Sequence, residues 1–453
     1  MTITESQRIF FQTGQTLPAA WRKKQLRGLL KAIKTHEREL YSAFESDLRK
    51  SRFETMLTET GLIKKNIRDT IKSLDGWIKP VKKKTPFFLF GRSSYTVYEP
   101  YGTVLIIGPF NYPFLSVFEP LIGAIASGNT AVVKPSELTP NISNVIREII
   151  DTAFSDEYVS VVIGGAETTT ELLEQHFDFI FFTGSPRVGK IVMESASKHL
   201  TPVLLELGGK SPVIVCETSD IKWAAKRIIW GKLLNAGQVC IAPDYCLVPD
   251  KLKQSLIEAM ITEIKMLYGE NAVHSKDYGR IVTLSHADRL HSIIQAHKKD
   301  IAYGGKRSGT FIEPTILDIT SIDSKAMEEE IFGPILPVIG YESIDEMYDM
   351  ISKNPKPLAC YVFSGKRKKA EEIISNIPSG GAMINDVILQ VVNQHIPFGG
   401  VGSSGMGQFH GKYSIEAFSN QKSVMRTWFF GGARLTTAPY SKKKHLIFKW
   451  FLR

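Results

Sequence analysis

Up to Pro80, apolar positions fall three and four residues apart. Leu26, Leu29, Leu30 and Ile33 make one stripe, and Lys and Arg fill the opposite face, as in amphipathic helices with one buried side. The spacing predicts helices over 6–13, 17–51 and 54–77. Residues 79–92, KPVKKKTPFFLFGR, break the period. Their lysines precede an apolar cluster between Pro86 and Gly91, which reads as a loop with an exposed hydrophobic tip. From residue 95 the period shortens. Apolar runs over Thr103–Ile107, Thr130–Lys134, 159–163, 177–183 and 203–207 predict strands. Helices are predicted between them over 111–127, 141–154, 167–175 and 188–199, with Thr139 or Asn141 as the cap of the second. This alternation predicts an α/β fold, a parallel sheet with helices on both faces, and such sheets bind ligands at the carboxyl ends of their strands. Gly208 and Gly209 mark a joint. A second alternation then runs from 213–216 through helices near 220–235 and 250–267 and strands near 312–317 and 335–339, to about residue 395. The glycine-rich stretch PFGGVGSSGMG (397–407) follows.

The chain has 453 residues, 43% of them hydrophobic. That suits two or three domains and excludes general disorder. No run of about 18 uninterrupted apolar residues occurs, so no helix is expected to span a bilayer. The first residues lack an apolar signal core, which speaks against secretion. Cys216, Cys240, Cys246 and Cys360 show neither CxxC spacing nor a nearby His pair. A disulfide framework is excluded, a structural metal is not expected, and a reducing, cytoplasmic compartment fits. Lys and Arg number 56 against 46 Asp and Glu, a net +10. The last twelve residues hold five Lys/Arg and no acid, so half of the excess belongs to one end of the chain. No nucleic-acid recognition motif accompanies it.

Candidate chemistry sits at the predicted strand ends. GPFNYP (108–113) follows the first, and the Asn111 amide is either a donor to a developing oxyanion or a helix N-cap. KPSE ends the second, where Lys134 and Glu137 either hold ribose hydroxyls or form a surface ion pair of little worth. FTGSPRVG (182–189) ends the fourth. Gly184 and Gly189 flank a turn into a helix N-terminus compatible with phosphate, though the spacing is not GxGxxG, and a tight strand–helix turn explains it as well. In LELGGKSP (205–212), Glu206 lies in an apolar strand. Desolvation there raises a carboxyl pKa and suits a general base, or the residue is a hydrogen-bonded structural Glu. NAGQVCIAPDY (235–245) places Cys240 in a loop after a helix, as a nucleophile if its pKa is lowered or as a small core residue. EEIFGP (329–334) sets a carboxylate beside an aromatic.

GPFNYP, KPSE, FTGSPRVG, LELGGKSP, GQVC, EEIFGP and PFGGVGSSGMG stand in one chain in that order. In this the chain resembles the aldehyde dehydrogenase superfamily over residues 5–430. GQVCIAPDY, FHGKYSIEAFS (409–419) and the short N-terminus resemble the class 3 branch, which includes fatty aldehyde dehydrogenases. The resemblance implies two doubly wound α/β domains, a Rossmann-like cofactor domain and a catalytic domain, plus a small β oligomerisation element. The expected division is an N-terminal helical region (1–94), an NAD(P)-binding domain (95–209), a catalytic domain (210–395), a return and oligomerisation segment (396–430) and a basic, aromatic tail (431–453).

The same resemblance implies the roles. Cys240 would attack the aldehyde, with the oxyanion held by the Asn111 amide and the Cys240 N–H. After hydride transfer, Glu206 would activate water to hydrolyse the thioester. Lys134 and Glu137 would bind the adenosine ribose, and Gly184, Ser185, Val188 and Gly189 would line the diphosphate. Glu330 would grip the nicotinamide ribose with Phe332 nearby. The Glu137 charge opposes a 2′-phosphate and favours NAD, with NADP left open. Pro186 departs from the family's small or polar residue at that turn.

The substrates expected are medium- or long-chain aliphatic or aromatic aldehydes, and a homodimer is expected. CoA-acylating chemistry is the alternative enzyme, against which Glu206 argues, and a non-catalytic membrane-surface adaptor is the alternative of a different class. Residues 79–92 and 441–453 share a basic, aromatic composition. They are expected to touch an anionic membrane peripherally, or the tail folds over the substrate entrance or packs on a partner subunit.

Overall fold

A computed structural model describes residues 2–89, 91–428 and 436–451. Helices Ile3–Gln12, Ala19–Thr35 and Glu37–Leu48 open the chain. The single helix read over 17–51 is two, divided at His36, whose φ of −95° and ψ of 15° leave the helical region. A further rod consists of Arg52–Thr55, a π turn Met56–Thr60 and Gly61–Trp77. Leu26, Leu29, Ile33, Leu40, Phe44, Ile63 and Ile67 form the fully buried stripe of these helices, packed with the helices Leu115–Ser127 and Pro140–Ala153.

Beneath them lies a six-stranded sheet in the order Gly405–Met406, Val203–Glu206, Phe179–Thr183, Thr103–Ile107, Thr130–Lys134, Val159–Val161. All neighbours are parallel except Gly405–Met406. Every residue of Thr103–Ile107 and Thr130–Lys134 is buried, as a sheet covered on both faces requires. Helices Ala166–Glu174 and Pro186–Ser197 cover the other face. Chain direction across the sheet reverses between Thr103–Ile107 and Phe179–Thr183, which puts the ligand crevice of such a fold at their carboxyl ends.

The second sheet has seven strands in the order Ile301–Tyr303, Thr315–Ile319, Ile335–Tyr341, Tyr245–Pro249, Pro212–Val215, Ala359–Phe363, Gly381–Ile384, and only Ile301–Tyr303 runs antiparallel. Cys246 and Cys360 are core residues of its strands.

A third, antiparallel sheet joins Val81–Lys83, Arg92–Pro100 and Ser419–Thr427. Residues 79–92, read as a loop, therefore contain a strand and a 3-10 turn, Phe87–Leu89. Its central strand, Arg92–Pro100, pairs in register with Ser419–Thr427, a partner too distant in sequence for local patterning to reveal. The tail forms the helix Lys442–Phe451, and the Phe87 and Phe451 rings lie 5.7 Å apart. No helix among the described residues is long and apolar enough to cross a membrane.

Candidate functional site

The loop carrying Cys240 leaves the helix Ile221–Leu233 through a kinked turn, Leu234–Gly237. Asn235 (φ 49°) and Ala236 (φ 52°) are both left-handed there, a conformation that costs roughly 1–2 kcal/mol for a residue with a Cβ. Hydrogen bonds hold it. The Asn235 amide donates to the carbonyls of Asn111 (2.8 Å) and Gln238 (3.2 Å). Gln238 donates to the carbonyls of Asn235 and Arg280, both at 3.0 Å, and accepts from the Val282 N–H at 3.0 Å.

Asn111 is not a helix cap. The helix starts at Leu115, with Phe114 at the cap position, because Pro113 disfavours helical backbone at Tyr112. The Asn111 side chain instead reaches across to the cysteine loop and donates to the Gln238 carbonyl at 3.0 Å.

Glu206 ends the strand Val203–Glu206 and is 4% exposed. Neither carboxylate oxygen has a hydrogen-bond partner among the described residues, and burial pushes its pKa well above the usual carboxylate range. The loop 329–334 is fastened beside it by a buried pair. The Lys210 ammonium donates to Asp244 (2.5 Å) and to the carbonyls of Ala326 (3.0 Å) and Glu329 (2.9 Å). Asp244 accepts the Ile331 N–H at 2.9 Å. Glu330 then lies so close to Gly208 that a Cβ there would sit 1.8 Å from its Oε2.

Burial, then Asp244, raises the Glu330 pKa to about 8, against the pull of the Gly209 N–H, Lys210 and Lys232. At Cys240, burial raises the thiol pKa far above its ordinary value, and the charges of Glu330 and Glu206 add to this. The N–H groups of Cys240 and Ile241 pull the other way. The thiol is thus neutral at rest, chiefly because it is buried. Phe332 has a φ of 48°, and its ring meets Phe110 edge-on at 5.8 Å.

Toward the outer strands, the buried Lys134 ammonium lies 2.7 Å from Glu137, which is 46% exposed. Partial burial raises the Glu137 pKa, but the Lys134 hydrogen bond, a backbone N–H and the Lys134 charge together outweigh it, so the carboxyl is held below its ordinary value. Ser185 caps the helix Pro186–Ser197 by accepting the Val188 N–H at 3.4 Å. Pro186, the departure noted in sequence, occupies the first helical turn, where its fixed φ is favourable. The Gly184 N–H donates to the Glu206 carbonyl at 3.0 Å. At Gly189 a Cβ would meet Leu207 at 2.7 Å, so glycine there permits the helix to close on the strand end.

The structure thus brings Asn111, Cys240, Glu206 and Glu330 together. Lys134, Glu137 and the Gly184–Gly189 turn are arrayed along the same carboxyl edge of the first sheet. A cation, a carboxylate and a helix N-terminus along a switch-point crevice fit a dinucleotide. Sequence reasoning missed Asn235, Gln238, the Lys210–Asp244 pair, and three charges of the N-terminal region, the buried Lys50 and Glu59 and the half-buried Glu54. The left-handed preference of Asn in Asn-Ala-Gly was a usable signal for the first.

A doubly wound sheet whose crevice faces a thiol from a second parallel sheet defines the class of dinucleotide-dependent oxidoreductases with a cysteine in the site. Residues 3–424 match the aldehyde dehydrogenase family. The chain is 48% identical over 448 residues to the 4,4'-diaponeurosporen-aldehyde dehydrogenase of Staphylococcus aureus, covering 98% of this chain and 97% of that one. It is 42% identical to the dimeric NADP-preferring aldehyde dehydrogenase of Canis lupus familiaris, over 93% of each chain. The structure of substrate-bound S. aureus AldH superposes with a TM-score of 0.97 at 47% identity, covering 100% of this chain and 99% of that one. Family 3 members from a plant and an ape also align along nearly its whole length. The chain belongs to the aldehyde dehydrogenase family, in its class 3 branch, and oxidises aldehydes with NAD or NADP. That removes the reading of a non-catalytic adaptor.

Proposed function

We propose that Cys240 is the nucleophile of this aldehyde oxidation, Asn111 and the Cys240 N–H the oxyanion donors, and Glu206 the base for hydrolysis. The observation that carries this is the meeting, at the loop that carries Cys240, of an amide donor and a buried carboxylate with no donors of its own. The thiolate adds to the aldehyde carbon, and the oxyanion is met by donors already oriented before reaction. Lys134 and Glu137 hold the adenosine ribose, Gly184, Ser185, Val188 and Gly189 the diphosphate, and Glu330 with Phe332 the nicotinamide ribose. NAD or NADP, when bound, supplies the hydride acceptor that turns the adduct on Cys240 into a thioester. Glu206, lacking hydrogen bonds to its charged form, is a stronger base than a solvated carboxylate, takes a proton from water, and so releases the acid. Its presence favours hydrolysis over acyl transfer to CoA. The Glu137 charge favours NAD, with NADP also accepted.

The structure also bears on substrate. The Phe87–Phe451 contact unites the two basic, aromatic segments, and Phe87, Leu446 and Trp450 are exposed beside Lys82, Lys83, Lys443 and Lys444. This patch suits an anionic membrane surface and peripheral attachment on its cytoplasmic side, with medium- or long-chain aliphatic or aromatic aldehydes drawn from that surface. Ser419–Thr427 is the outer, exposed strand of its sheet and the proposed edge of a homodimer.

Aldehyde-dependent NADH formation, abolished in Cys240→Ser, tests the chemistry. Unchanged turnover in that variant would refute it. Deleting residues 441–453 should weaken sedimentation with anionic vesicles, and equal binding would refute the membrane reading.

A further inference from the structure

The N-terminal rod reaches into the reaction centre through charges that the mechanism above does not use. Glu54 Oε1 accepts the N–H of Asn235 at 2.8 Å, at the left-handed start of the cysteine loop. Glu59 Oε2 accepts the N–H of Leu115 at 2.8 Å, at the start of the helix that follows Asn111. That helix has no side-chain cap of its own, so Glu59 caps it from another element. Glu59 Oε1 takes the Lys50 ammonium at 2.9 Å, and both side chains are 0% exposed. The Lys50 nitrogen also lies 4.1 Å from the centroid of the Tyr112 ring, next to Asn111 in the chain. Between the two anchored points run the bonds that join the loops, from the Asn235 amide to the Asn111 carbonyl and from the Asn111 amide to the Gln238 carbonyl.

The backbone explains how one rod serves both loops. Residues 54 and 59 are five apart, which is about 140° round an α-helix. The π turn Met56–Thr60 begins after Glu54 and contains Glu59, and the Gly61 N–H bonds to the Met56 carbonyl. The wider turn swings the two carboxylates toward one side. Gly61 permits it, since a Cβ there would lie 2.4 Å from the Met56 oxygen.

We propose that Glu54 and the Lys50–Glu59 pair are positioning residues that set the spacing between the Asn111 amide and the Cys240 loop, held in phase by the π turn at Gly61. The proposal rests on the roles given above to Asn111 and Cys240. In Glu59→Gln the unpaired ammonium and weakened cap free the Asn111 turn. Loss of ångström-scale alignment lowers kcat by at least about tenfold. KM for NAD changes little by comparison, while thermal stability falls because the buried Lys50 is left unpaired.

A double-mutant cycle separates positioning from general loosening. kcat for one aldehyde is measured in the full-length enzyme, in Glu59→Gln, in Asn111→Ala and in the double variant, with NAD affinity as a control for the fold. The expected result is that Glu59→Gln costs tenfold or more when Asn111 is present and less than about twofold when it is Ala. An equal cost in both backgrounds, or full activity in Glu59→Gln, overturns the proposal. Full activity in Asn111→Ala instead overturns the assigned role of Asn111. Should Glu59→Gln fail to fold around its unpaired lysine, Lys50→Met/Glu59→Gln removes both charges together, which buried pairs tolerate better, and enters the same cycle. Glu54→Gln, followed by alkylation of Cys240 with iodoacetamide, reads the other anchor. A rate altered severalfold supports it, and a rate like that of the parent overturns it.

Discussion

A methyl group added at Gly237 should disable the enzyme, while the same change at Gly309 should leave its rate unaltered. Both glycines have positive φ, 78° and 59°, so alanine at either pays left-handed strain of roughly 1–2 kcal/mol. They differ in what surrounds them. At Gly309 a Cβ meets nothing within 4 Å. At Gly237 it would sit 2.3 Å from both the carbonyl carbon and the oxygen of Gly333, and 2.8 Å from the Pro334 nitrogen. Backbone cannot rotate away as a side chain does. One of the two loops must retreat by about 1 Å, and overpacking of that kind costs roughly 1–3 kcal/mol. Gly237 is three residues from Cys240, and Gly333 is three from Glu330, so the retreat separates groups the chemistry needs together. A misplacement of about 1 Å is worth about 100-fold in rate. Gly237→Ala is therefore expected to lose about 2–5 kcal/mol of stability in urea denaturation and about 100-fold in kcat. Gly309→Ala should lose only the strain and keep its kcat. Comparable kcat in the two variants would refute the claim that backbone contact between the loops aligns the site.

Three further outcomes follow from groups already placed. Glu206→Gln should still give a first turnover of NADH but stall before acid release. In the parent enzyme the carboxylate exists only above its raised pKa, so the rate must fall as pH drops through that value, and this limb should vanish from the variant's single-turnover profile. Glu137→Gln should raise kcat/KM for NADP relative to NAD, by on the order of tenfold for one unfavourable charge; an unchanged ratio would remove Glu137 from cofactor choice. Burial raises the Glu119 pKa to about 7, with the Gln394 hydrogen bond opposing. A carboxyl held above its unfolded value loses stability as pH rises through the folded pKa. Glu119→Gln should then stabilise the protein at pH 8, by up to about 3 kcal/mol, and leave it unchanged at pH 4, as denaturation midpoints at the two pH values will show.

The legible parts of the fold were those whose burial is complete and local. Thr103–Ile107 and Thr130–Lys134 are apolar runs because both faces of their sheet are covered, and chain patterning reports that directly. Arg92–Pro100 was missed because its partner, Ser419–Thr427, lies at the far end of the chain, and the one strand is only half-buried and the other largely exposed. The helix after Asn111 was begun too early although Pro113 was visible. Candidate chemistry was legible where a polar residue interrupts an apolar strand end, as at Lys134 and Glu206. Lys50, Glu54 and Glu59 were not, since a charged residue on an amphipathic helix reads as its solvated face. Only the tertiary structure shows that this face is covered, at these positions, by the site itself.

The buried acids divide by what they accept. Glu59 takes an N–H and a lysine, Asp244 an N–H and a lysine, and the half-buried Glu54 an N–H. A buried carboxylate with donors is fixed in place, and whatever it holds is fixed with it. Glu206 accepts from nothing among the described residues, so its charged form is unsupported and its affinity for a proton is high. Satisfied acids can therefore align loops without competing for the substrate's protons. The unsatisfied acid is available for proton transfer because the fold withholds the donors that would make it inert. A donor installed beside Glu206 would add a hydrogen bond and still damage the enzyme, since what stabilises the carboxylate also weakens it as a base.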